Sequence, residues 1–292
     1  MSSSLAFPIS EIERIAASIE PCAPVALACD GTLEGILTSV FAAFATTADV
    51  QDIIEGSHVQ PRIGQVVVAV PASMDAATRV QHGIVRTGGM ESWSAVMTAA
   101  ASDDPHVGTH IYRFVRYAFA AGSAATCSAC DRKTTCIKPC GRVERRSILA
   151  QLTHPCVEPI LRMQTQVVNE TEKMRNFTRF QHVEGDLWFA KCNPSCSVVP
   201  FVMDHFGRRF NTQRFAIYDE THHIAGVSEG GKWQLVATDE LAPPPIADDE
   251  AAVQDAWKRF YDALTIDARY NPELRRHFMP MRLWKNILEL TP

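Results

Sequence analysis

Long hydrophobic runs are missing from this sequence of 292 residues. A bilayer-spanning helix needs about 20 mainly apolar residues in succession, and no window of that length is free of charge. The most apolar stretch, from Pro24 to Phe44, is broken by Asp30 and Glu34 and reads as a strand followed by a core helix. The opening residues, MSSSLAFPISEIERIAASIEP, hold neither a basic leader nor an apolar run. No secretory signal and no membrane partner are therefore expected, and the expected location is cytoplasmic. An excess of positive charge is missing too: 28 Lys and Arg stand against 33 Asp and Glu, a net charge of −5. That balance argues against a non-specific nucleic-acid coat and leaves nucleic-acid binding to be argued from local surface. No GxxxxGK[ST] loop, no GxGxxG after a strand and no HExxH helix occurs, nor does the deaminase order of His-x-Glu followed by Pro-Cys-x-x-Cys. Nucleotide hydrolysis, zinc proteolysis and base deamination are not expected.

What is present is ample apolar content, 46%, enough to bury a core without covalent staples. Nine cysteines are an odd number, and without a secretory signal they read as reduced thiols or ligands rather than a disulfide framework. Cys127, Cys130, Cys136 and Cys140 fall close together among Arg132, Lys133 and Lys138. Thiolates so spaced can close a tetrahedral zinc site or hold an iron–sulfur cluster, and the neighbouring cations favour the thiolate form. The short loop between the two pairs departs from zinc-ribbon spacing, so incidental thiols on a loop are the competing reading. Cys192 and Cys196 are possible supplements.

Periodicity predicts the α+β class: a small antiparallel sheet packed with helices from the N-terminal half and the C-terminus. Residues 1–20 read as an N-terminal extension. Residues 21–292 read as a single domain, with a Cys-rich insert at 122–142 and an acidic, Pro-rich linker at 239–250. Strands are expected at 25–29 and 65–70, and helices at 33–44, 79–100, 109–121 and 155–174. FTRFQHVEGDLWFAKC alternates around a Glu-Gly-Asp turn and predicts a hairpin from Phe177 to Cys192. A short helix within SVVPFVMDHFGRRFNTQ separates it from strands at RFAIYDE, HHIAGVSEGG and KWQLVATD.

Charge and aromaticity single out the candidate sites. Between Lys258 and Lys285 lie seven Lys or Arg against three Asp or Glu, interleaved with apolar residues at helical spacing. From His205, Arg208, Arg209 and Arg214 alternate with Phe206, Phe210 and Phe215, a pattern that can pair phosphates and stack bases, or else place the rings in the core and the guanidinium groups in water. Asp30 and Glu34, four apart at a helix start, can form an acid/base pair with His205 as proton shuttle; capping of the helix is the competing reading. His222-His223 reads as a surface feature at a strand end.

Together these stretches resemble a bacterial family associated with DNA metabolism and DNA repair, whose shared domain has no established activity. The resemblance rests on Asp30-Gly31-Thr32-x-Glu34-Gly35, His154-Pro155-x-Val157, Phe177-Thr178-Arg179-Phe180, His205-Phe206-x-x-Arg209-Phe210 and Ile217-x-Asp219. It continues through Arg269-Tyr270-Asn271-Pro272 to Met279-Pro280-x-Arg282-x-Trp284. It spans roughly Val25 to Leu288. Members resemble companions of a radical S-adenosylmethionine protein, and the domain also occurs fused to uracil-DNA-glycosylase-like domains. Where members commonly carry a His before the Phe-x-Arg-Phe strand, this chain has Glu172, and the four-cysteine segment departs from the shared pattern.

The resemblance implies DNA, single-stranded or damaged, and a radical S-adenosylmethionine protein as partners. Arg179, Arg208, Arg209, Arg214, Arg269, Arg275, Arg276 and Lys285 are then the candidate phosphate contacts, with Trp233 or Trp284 to stack a base. An internal charge network joining Arg179, Arg209, Arg269 and Arg282 to Asp30 and Glu34 is an equal alternative. A stand-alone enzyme using Asp30, Glu34 and His205, and a scaffold clamped by metal at the four cysteines, are the other functional readings.

Overall fold

Val25, Ala26 and Leu27 lie fully buried in β1 (Pro24–Cys29), the central strand of a three-stranded parallel sheet. In a computed structural model, described here for residues 7–56, 60–124 and 147–290, β1 pairs on one side with β2 (Asp49–Glu55) and on the other with β3 (Val66–Ala69). Parallel strands need a crossover, and α2 (Leu33–Ala45) supplies it between β1 and β2. Ile36, Leu37 and Val40 bury one stripe of α2, as its period predicts. Around this sheet are α1 (Ile9–Ser18), α3 (Met74–Ala99), α4 (Val107–Ala124) and the start of α5 (Glu158–Phe177), sharing a core that includes Ile53, Ile111 and Phe114. α3 is interrupted at Gly89, whose φ of +77° belongs to no right-handed helix.

Packing divides the chain into two compact units, Met1–Thr165 and Gln166–Pro292. The second holds a five-stranded sheet in the order β4-β5-β6-β7-β8. β4 (Gln181–Val183) and β5 (Leu187–Cys192) form the expected hairpin, shorter at its start because α5 continues to Phe177. Gly185 and Asp186 take positive φ in its turn. β6 (Arg214–Asp219), β7 (Ile224–Glu229) and β8 (Lys232–Ala237) continue as an antiparallel meander. Between β5 and β6 lies α6 (Val199–Arg209), and Gly226 lets this helix approach the sheet: a Cβ there would collide with Met203 Sδ. After the Pro-rich segment come α7 (Glu250–Leu264), α8 (Pro272–Phe278) and 3-10 turns at Met281–Asn286 and Leu288–Leu290.

The α+β class holds, but the sheets are not purely antiparallel. The N-terminal half contains a parallel sheet, and β5 pairs with β6 in parallel. Helix α6 is the reason: eleven residues of helix carry the chain back to the end at which β5 began. β2 is unexpected from sequence because DVQDIIE carries two aspartates. Asp52 nonetheless lies buried, its carboxylate accepting hydrogen bonds from Arg62 Nη2 at 3.0 Å and Gln65 Nε2 at 2.8 Å. Among the described residues no helix is long and apolar enough to cross a membrane.

Candidate nucleic-acid interface

Phe180, immediately before β4, begins an aromatic cluster. Its ring lies 5.1 Å from that of Phe206, 4.7 Å from Phe210 and 5.8 Å from Phe215, in edge or tilted geometries that such rings favour. Phe206 and Phe215 are core residues, whereas Phe180, Phe210 and Trp188 on β5 are half-buried and leave ring surface accessible. The alternation of the His205–Phe215 run is thus explained by packing at Phe206 and Phe215. Phe180, Trp188 and Phe210 line a cavity of about 650 Å³. The end of α5, β4, β5, the end of α6, α7 and the C-terminal turns enclose it.

The cavity carries five cations, Arg175, Arg179, Lys191, Arg209 and Lys285. Arg179 Nη2 donates to Glu289 Oε1 at 2.8 Å, and its guanidinium lies 5.9 Å from the Trp257 ring centre. Burial raises the pKa of Glu289, but the Arg179 hydrogen bond, one from the backbone and one from Trp257 Nε1 outweigh it, and the net shift is downward. Lys191 and Lys285 share Glu220, at 3.1 and 3.2 Å, with Asn193 completing the cluster. Glu220 too is lowered, burial again being outweighed by these donors. Arg175 pairs with Glu172, an exposed carboxylate partner for a cavity arginine. Arg209 is exposed and pairs with no carboxylate among the described residues.

Of the eight cations expected to contact phosphate, Arg179, Arg209 and Lys285 converge on this cavity. Arg208 is exposed on α6, and Arg214 is held by Glu229 and the Gly185 carbonyl, both at 3.3 Å. Arg269 and Arg275 line a separate concavity of about 370 Å³ with Tyr261, Tyr270 and Phe278, and Arg276 is exposed beside it on α8. Arg275 is sandwiched there, 5.4 Å from the Tyr270 ring and 5.1 Å from that of Trp284. Neither tryptophan proposed to stack a base lines the main cavity: Trp233 donates to Asp204 Oδ1 at 2.7 Å, and Trp284 to the Met279 carbonyl at 3.0 Å. Trp188 and Trp257 occupy that place instead.

Carboxylates are what sequence reasoning missed. Glu170, 1% exposed on α5, accepts hydrogen bonds from Arg282 and from the Ser195 backbone N–H at 3.0 Å. Burial pushes its pKa up, and the Arg282 and Ser195 hydrogen bonds pull it net below the ordinary glutamate value. Arg282 therefore does enter an internal charge pair, with Glu170 as its partner. Asp219 is fully buried and accepts from His222 Nδ1 at 2.6 Å and from the Thr221 N–H at 2.8 Å. His222 is accordingly a largely buried clamp on the β6–β7 turn rather than a surface feature.

Asp30 lies in the first unit, where its Oδ1 accepts from Thr32 N at 3.0 Å and Thr32 Oγ1 at 2.7 Å. Thr32 Oγ1 in turn accepts from Gly35 N at 3.0 Å and caps α2, with Glu34 in the helix's first turn. His205 lies in the second unit on α6. Its pKa is lowered, first by burial and then by Arg175, Arg209 and Arg208. The string from Gly226 to Gly230 spells GxSxG, yet it occupies β7 and a hairpin turn, not a strand-to-helix elbow. Ser228 is buried in the sheet between Phe215 and Trp233, so its hydroxyl meets no substrate. Cys127, Cys130, Cys136 and Cys140 lie outside the described residues. Cys192 and Cys196 are buried, and burial drives the Cys192 thiol far above its usual pKa.

A family profile described as a domain of unknown function, DUF4130, matches residues 105–289. The chain belongs to the DUF4130 family. Every described residue lining the cavity falls within the DUF4130 segment, while Asp30 and Glu34 precede it. No curated protein and no solved structure matches the chain.

Proposed function

We propose that this protein binds single-stranded or damaged DNA at the aromatic and cationic cavity of its second unit, in a DNA-repair or DNA-metabolism process. The observation that carries the reading is the meeting of half-buried rings with five cations in one concavity inside the family segment. A volume of about 650 Å³ suits one nucleotide-sized ligand and not a duplex. Arg209, which pairs with no carboxylate among the described residues, is the first phosphate contact. Lys191 and Lys285 divide one glutamate between them and retain charge for a second. Phe180, Trp188 and Phe210 supply stacking surface that tolerates any base. The resemblance adds a radical S-adenosylmethionine protein as partner, which would supply the radical chemistry while this chain presents the DNA.

Anisotropy of a labelled single strand, measured across a salt series, tests the binding. Affinity should fall with salt by a log–log slope of about −0.7 per phosphate neutralised. Arg209→Gln should weaken binding for all sequences alike and make the slope shallower by about 0.7. Salt-independent affinity would overturn the phosphate reading. The partnership has its own test: co-expression and co-purification with the radical protein, which separate elution of the two would overturn.

A further inference from the structure

Glu250 is the carboxylate that lines the cavity among the described residues, and it differs from the acids that neutralise the cavity's cations. Glu172, Glu220 and Glu289 each pair with cavity cations. Glu250, 3% exposed in the first turn of α7, pairs with none among the described residues. Its Oε2 accepts from the His182 backbone N–H at 3.0 Å and its Oε1 from Gln254 Nε2 at 2.9 Å, both neutral donors. A carboxylate offers about four lone-pair directions, so roughly two remain without a donor among the described residues. The N-terminus of α7 favours negative charge here, but a buried carboxylate short of donors is costly unless something completes it.

The completing group must present neighbouring N–H donors and a flat face for Phe180, Trp188 and Phe210. Among nucleobases, guanine offers N1–H and the exocyclic N2–H side by side on one edge. Thymine and uracil offer a single N–H between two carbonyl oxygens, which a carboxylate repels, and adenine and cytosine place a ring-nitrogen acceptor beside their amino group. We propose that the cavity receives one unstacked guanine-type base, with Glu250 accepting from its N1–H and N2–H. This rests on the DNA-binding reading and narrows it, from any base on the rings to one base edge on a carboxylate.

The test uses the full chain and thymine-only single strands carrying one central guanine, hypoxanthine, adenine or thymine, compared at fixed low salt. Hypoxanthine keeps N1–H and lacks the N2 amine. Guanine should bind about 10-fold more tightly than thymine, the discrimination expected of one bidentate pair, with hypoxanthine between them. Glu250→Gln should erase that preference while the salt slope stays unchanged. A flat base panel combined with salt-sensitive binding overturns the guanine proposal and leaves DNA binding standing. Absence of any binding to these strands overturns DNA binding itself. A guanine preference that survives Glu250→Gln places recognition elsewhere and overturns the role of Glu250. Because Glu250 also ties His182 to α7, the wild-type panel with hypoxanthine tests the base preference even where Glu250→Gln fails to fold, and Glu250→Asp then tests the carboxylate's role.

Discussion

Arg282 and Glu170 are separated by 112 positions in sequence, yet they form a cation–carboxylate pair in which the glutamate is 1% exposed. Removing the arginine alone leaves a carboxylate that is 1% exposed with only the Ser195 N–H and a partly exposed Lys173 to satisfy it. Arg282→Met should therefore destabilise by about 3 kcal/mol, read as a lower denaturant midpoint at unchanged slope. A change under about 0.5 kcal/mol, the range of ordinary surface substitutions, would sink the account. The same separation explains what sequence could and could not tell. Arg179, Arg209 and Lys285 were legible as candidates because basic and aromatic residues interleave locally. Glu170, Glu289 and Glu250 were not, since an isolated glutamate on a helix reads as solvated surface until topology brings it to its hydrogen-bond donors. Arg179 and Glu289, 110 positions apart, meet only through the path of the sheet and the C-terminal turns.

At the scale of elements, the β1–α2 junction separates a structural from a chemical role. Thr32 caps α2 and Asp30 organises the turn, with Gly31 at a φ of +77° and Glu55 packed where a Cβ would stand. Thr32→Ala should cost about 1 kcal/mol through the lost cap. Asp30→Asn keeps the acceptor oxygen and should leave thermal stability nearly unchanged. Loss of any turnover in Asp30→Asn, with turnover retained in Thr32→Ala, is the result that would support the acid/base reading of Asp30; parallel behaviour of the two argues for the cap alone. Helices were readable here because three- and four-residue spacing survives any tertiary context, as in Leu37 and Val40 of α2. Strands were readable where alternation was clean, as in the β4–β5 hairpin, and missed at β2, whose buried Asp52 is satisfied by Arg62 and Gln65. The parallel pairing of β5 with β6 was hidden for another reason: local pattern sets which residues face inward, while the direction of return depends on the helix between the strands.

For the whole molecule, an acidic chain can hold a basic cavity because its charges are sorted: among the described residues the cavity lining carries five cations and one carboxylate. Three glutamates around that site, Glu170, Glu220 and Glu289, have pKa values lowered in the folded state. In each, burial opposes ionisation and is outweighed by Arg282, by Asn193 with the lysines, or by Arg179. A carboxyl whose folded pKa lies below its unfolded value contributes stability above the unfolded value, about 4.3, and loses it as pH falls through the folded one. Histidines act above that window and in opposing senses. His110 and His205, lowered first by burial, lose stabilisation as pH falls below about 6.5, whereas His182, raised first by its hydrogen bond to Asp249, gains it above that value, as pH falls through its folded pKa, and keeps it below. Denaturant midpoints should thus change little between about pH 7 and pH 5 and fall steeply below about pH 4.3, with a shallower fall in Arg282→Met because Glu170 then has less depression to lose. A midpoint that holds steady to pH 3, or an Arg282→Met profile parallel to the wild type, would show that these carboxylates are not what the cations of the second unit hold in place.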